Sequence, residues 1–163
     1  MKRPIIFLLA SSLLVIIIFA VAIYVPNTLP VGSDFSAIYY ADMALVHGVH
    51  VYDIPSMEAL ARSTVTPPSD RFFMPRFPYP PWYMLSTFYL GMMPIRLAGA
   101  LWFEINLVML FLSVWFLTDG WNGRLRLVSF ALALFFLPVI GALAVGQYGF
   151  PALLGTSLLI YSL

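Results

Sequence analysis

From residue 127 to residue 163 the chain carries no charged side chain, and two further uncharged runs cover residues 4–33 and 77–95. Such runs dominate what the chain can fold into, because a bilayer crossing takes about 20 mostly apolar residues in succession. Composition agrees: 62% of the 163 residues are hydrophobic and 9% are charged, where a soluble domain carries about 25%. The expectation is an all-α, polytopic membrane protein rather than a water-soluble globule.

The 15 charges are unevenly placed. Lys2 and Arg3 open the chain, eight charges fall in residues 26–81, and five are spread over the remaining 82 residues. A net charge of +1 is too small for a nucleic-acid footprint, which needs Lys and Arg clustered on one face. Cysteine is absent and His47 and His50 are the only histidines, so neither a disulfide framework nor a zinc site is predicted. No metal or cofactor is expected.

Three regions emerge along the chain. Residues 4–25 make about 33 Å of helix, enough for a first span. The two leading cations place its start in the cytoplasm. A cleaved signal peptide is the rival reading, with small residues at Ala20-Val21-Ala22, but the apolar stretch is longer than such a peptide uses. Residues 26–81 hold nine of the 13 prolines and both histidines and read as a long extracytoplasmic loop. Within it the spacing predicts an amphipathic helix over residues 34–47, lying along the interface. Phe35, Ile38, Ala41 and Leu45 form its apolar side, Asp42 lies on the polar side, and Gly48 is the stop. A shorter helix is expected over residues 55–63.

Residues 82–163 supply further spans. Residues 97–117 cross comfortably, a polar turn fills 118–126, and 127–145 follows with a break at Pro138. Gly146-Gln147-Tyr148-Gly149 separates it from residues 150–163. The 12 residues between Pro81 and Pro94 make only about 18 Å of helix. A re-entrant or interfacial course there puts Arg124 and Arg126 in the cytoplasm and returns Gly146-Gln147 to the side of the long loop, which the positive-inside rule favours over a full crossing. The final run stops short of a full span, so the chain reads as incomplete.

Few residues offer chemistry. Asp34 stands just beyond the first span, where a carboxylate stays ionised at the membrane surface and can take a proton from an attacking hydroxyl, a step worth about 10² to 10⁴ in rate; helix capping is the plainer reading of the same residue. Asp42 lies about 80° around the helix from Asp34, so the two need not share a face. Arg71 and Arg76 suit phosphate or headgroup contacts. Glu104 stands inside a predicted span, an expensive place for an acid, with Trp102 and Asn106 as potential partners.

The order of these features resembles the N-terminal part of glycosyltransferase family 87 in the GT-C superfamily. The resemblance rests on Gly32-Ser33-Asp34-Phe35, Tyr39-Tyr40, Ala44-Leu45, Gly48 and Val51-Tyr52. It continues through Phe77-Pro78-Tyr79-Pro80-Pro81, Pro94, Ala98, Trp102 and Asn106 to Gly146-Gln147. It implies a GT-C-like helical bundle in the plasma membrane and an inverting transferase. Such an enzyme moves a sugar, typically mannose, from a polyprenyl-phosphate donor to an extracytoplasmic lipid or glycan acceptor. Asp34 takes the place of the general base, with Tyr39, Tyr40, Asp42, Arg76, Tyr79 and Gln147 as substrate-binding candidates. Family members are more than twice this length, so the piece is expected to be inactive alone. Two other classes compete: a non-catalytic assembly subunit binding a partner through the long loop, and a flippase or transporter fragment lined by intramembrane ionisable groups.

Overall fold

The computed structural model describes residues 33–64 and 76–163; the predicted first span at residues 4–25 and Arg71 lie outside the described residues. Among the described residues all regular structure is helical. Helix α1 (Ser33–Val46) is followed by α2 (Ile54–Thr64). A one-turn helix α3 (Met84–Thr87) sits between two 3₁₀ turns, Pro81–Tyr83 and Phe88–Met92. Then come α4 (Ile95–Leu117), α5 (Gly123–Phe135), α6 (Leu137–Val145) and α7 (Gly149–Tyr161).

The breaks lie where the backbone chemistry demands them. After α1 the chain turns at Gly48 with φ of 69°, and the Val49 N–H reaches back to the Ala44 carbonyl at 2.8 Å, a left-handed cap that glycine adopts without a Cβ penalty. Asn122 caps α5 by accepting from the Leu125 N–H at 2.9 Å. Pro138, in the first turn of α6, has no N–H to continue the α5 ladder, and the α5 and α6 axes differ by 55°. Arg126 closes the α4–α5 turn. Its guanidinium donates to the Thr118 carbonyl at 2.9 Å and to Asp119 at 3.3 Å and covers the Trp115 ring at 4.3 Å, a cation at the negative end of α4.

Helix α1 corrects the expectation of a two-faced interfacial helix. Nine of its 14 residues are buried, Phe35 and then every position from Ala37 to Ala44. Asp42, expected on a polar side, is 0% exposed. The reason is that α1 is covered from several directions: by the Phe88–Met92 turn, by α2, by α3 and by α4. The helix with one wet side is α2, which buries Met57 and Ala61 and leaves Ala59, Arg62 and Ser63 outside.

The stretch between Pro81 and Pro94 is three short turns rather than one helix. Met84, Thr87, Leu90 and Gly91 face inward, whereas Trp82, Leu85 and Met92 are exposed. Helix α4 is long and apolar enough to cross a membrane, and α5 with α6 passes the same test only as one bent pair. The 13-residue α7 is apolar but shorter. It packs along α4, where Ala98, Trp102, Asn106, Leu110 and Ser113 form the buried side. Ser113 and Ser157 bond back to the carbonyls four residues earlier, at 2.7 and 2.8 Å. Asn106 is the exception: it is 1% exposed and neither amide atom has a partner among the described residues. An apolar groove of about 600 Å³ opens between α4, α5 and α7, lined by Leu110, Ser113, Leu132, Phe136 and Leu153.

Candidate functional site

The head of α1 is where separated parts of the sequence converge. Asp34 stands in its first turn, partly exposed. The next residue, Phe35, is buried against Gly146: a Cβ on Gly146 would stand 2.5 Å from the Phe35 Cβ. Gly146 also has φ of 73°, so both space and backbone require glycine there. Its carbonyl accepts from the buried Trp102 indole N–H at 3.0 Å. A hydrogen bond from α4 and a close approach to α1 thus fix the α6–α7 turn, and Gln147 and Tyr148 are delivered to the Asp34 end of α1.

Tyr148 enters an aromatic cluster there. The Tyr79 and Tyr83 rings stack with centroids 5.2 Å apart and planes 10° from parallel. Tyr148 lies 4.3 Å from Tyr83 and 5.8 Å from Tyr79, and Trp102 backs it at 5.3 Å. The Tyr148 and Ser86 hydroxyls share a hydrogen bond of 2.7 Å. Tyr52 donates to the Tyr79 carbonyl at 3.0 Å, tying the end of the α1–α2 loop to the same place. Burial first, and the Asp34 carboxylate second, push the Tyr79 phenol up, while a hydrogen bond with the Tyr148 backbone pulls it down. The charge of Asp34 therefore reaches the cluster. Rings with an apolar face and a hydroxyl tip can hold a polyol by contact and hydrogen bonding together.

The residues expected from sequence divide. The charge of Asp34 is felt by the Tyr79 phenol, and Gln147 is exposed one residue from the Gly146–Phe35 contact. Tyr39 and Tyr40 are buried core residues: Tyr39 donates to the Met93 carbonyl at 2.8 Å, and burial pushes both phenols up. Asp42 is enclosed about 12 Å further along α1 and presents no surface to a ligand. Arg76 is exposed, and no ion pair among the described residues joins it to Asp34. Glu104 is partly exposed and does not pair with Asn106. Among the described residues no group of His, Asp and Glu is arranged to hold a metal ion.

Sequence reasoning did not single out Tyr83, Ser86 and Tyr148. The only local signal was aromatic density around Tyr79 and the neighbour of Gln147, and neither reveals that two stretches more than 60 residues apart would meet. The chain matches no protein-family model, no curated protein and no solved structure.

Proposed function

We propose that the chain belongs to a multi-pass plasma-membrane glycosyltransferase of GT-C type. It moves a sugar, mannose by resemblance, from a polyprenyl-phosphate donor to an extracytoplasmic lipid or glycan acceptor. Asp34 removes the acceptor hydroxyl proton as that oxygen bonds to the anomeric carbon. The bond from that carbon to the phosphate oxygen breaks, polyprenyl phosphate departs with the electron pair, and the configuration inverts.

The observation that carries this reading is that the Gly146-Gln147-Tyr148 turn packs on Phe35, next to Asp34 at the head of α1, and brings Tyr148 to Tyr79, whose phenol feels the Asp34 charge. It sets a partly exposed carboxylate beside rings and hydroxyls suited to a sugar. The apolar α4 and the bent α5–α6 pair support placement in a bilayer, and a base at the outer boundary then meets a donor whose tail stays in lipid.

The test is Asp34→Asn in membranes carrying the complete reading frame, assayed for transfer from polyprenyl-phosphate mannose. The expected loss is at least about 10²-fold with unchanged protein level. A rate near that of the parent removes Asp34 as the base.

A further inference from the structure

Among the described residues, Asp42 is the one carboxylate that the Asp34 site does not use and that the fold nevertheless encloses completely. Its Oδ1 accepts from the Thr87 hydroxyl at 3.0 Å, and its Oδ2 is buried with no hydrogen-bond partner among the described residues. Gly91 closes over it so tightly that a Cβ there would stand 2.5 Å from the Asp42 carbonyl carbon and from the Met43 nitrogen. The Thr87 hydroxyl also lies 3.4 Å from the Tyr83 carbonyl. Next to it in sequence, Ser86 holds Tyr148.

We propose that Asp42 is a positioning residue that works as a neutral carboxylic acid, fastening the segment that carries Tyr83 and Ser86 onto α1, and that loss of its proton releases this segment. An ionised carboxylate needs several donors when it leaves water. Here it has one, an uncharged hydroxyl, and a bare second oxygen. A neutral acid leaves a single O–H unpaired, a far smaller penalty. Once the proton goes, the direct relief is hydration, and the cover that must lift is the Phe88–Met92 turn. The Tyr83–Ser86–Tyr148 contacts move with it, so the protonation of Asp42 regulates the site at Asp34. That regulatory step rests on the proposed function; the latch itself does not.

Among the described residues no cation offsets the burial. Burial pushes the Asp42 carboxyl up to about 7, with the Thr87 hydrogen bond pulling the other way. From the turn, Tyr89 faces it, and its phenol is pushed up by burial and then by the Asp42 charge. On α1 the nearby titratable groups are Tyr39 and Tyr40. On α2, Glu58 and Arg62 pair with each other at 3.4 Å. On α4, Arg96 is exposed, and α3 and α6 contain no titratable side chain.

The chain has no cysteine, so spin labels can be placed cleanly at Leu45→Cys and Met92→Cys, both exposed positions on either side of the contact. In the otherwise unmodified chain the label separation should lengthen between about pH 6 and about pH 8.5. Over the same range the infrared band of a protonated carboxyl group should disappear. Asp42→Asn should abolish both changes, and Thr87→Val should move their midpoint to higher pH. The proposal is overturned if the band is absent at the lower pH, if the separation does not respond to pH, or if Asp42→Asn keeps the response. Should Asp42→Asn fail to fold, the band and the Thr87→Val shift decide alone. None of these readouts needs transfer activity, so a failed latch and a failed transferase reading are told apart.

Discussion

Helix α1 and the α5–α6 pair are both apolar, yet nine of the 14 residues of α1 are buried while α5 and α6 bury none. Leu127, Leu132, Phe135 and Leu137 are between 67% and 80% exposed. The first helix spends its apolar side chains on neighbouring protein, and one carboxylate is enclosed with them. The second pair presents its side chains outward, an apolar surface of a kind that water-soluble monomers rarely expose and that hydrocarbon tolerates. Hydrophobicity alone therefore does not tell which helices form the protein's own core. Glycine at the contacts of α1 is the better sign: Gly91 and Gly146 each let another segment approach it within the space of one Cβ.

The sharpest way to break this contrast is to truncate a phenylalanine in each region. Phe35 is 2% exposed and touches Tyr39, the Gly99 face of α4 and Gly146. Phe35→Ala should cost about 3–5 kcal/mol, read as a fall in the thermal midpoint in detergent micelles. It should also unseat the Gly146 turn, so fluorescence of the Trp102 indole should change with it.

A comparable effect should appear without mutation. Asp42 titrates near 3.8 when unfolded and near 7 when folded, so the folded chain holds its proton longer. Its contribution is full below the lower value and is lost as pH rises through the window, roughly 4 kcal/mol in all. Unfolding measured across that range should show the slope, and Asp42→Asn should flatten it. A stability that rises across the same window would contradict the enclosure of Asp42.

The smallest effect belongs to Phe135→Ala. At 80% exposure little of this ring is covered, and the midpoint in micelles should move by no more than about 0.5 kcal/mol equivalent. A cost like that of Phe35 would erase the difference between the regions.

Much of the helical layout was legible beforehand. The predicted helix over residues 55–63 and the break at Pro138 reappear as α2 and as the α5–α6 bend, and residues 97–117, expected as one long apolar helix, lie within α4. The polar side assigned to Asp42 was not legible, because periodicity reports one face of a helix only when one neighbour covers it. Of the candidate site, Asp34, Tyr79 and Gln147 were named in advance. Tyr83, Ser86 and Tyr148 were not, since their meeting depends on the Trp102 bond to Gly146.

The sequence by itself determined where helices start and stop and which of them are apolar enough for lipid. Proline, glycine and capping side chains act on their immediate neighbours, and apolar run length is a local quantity. Only the tertiary structure decided which acid is wet and which is dry, and which tyrosines share a site. Those outcomes depend on what packs opposite each side chain, and for α1 the covering pieces come from positions as far along as Gly91 and Gly146.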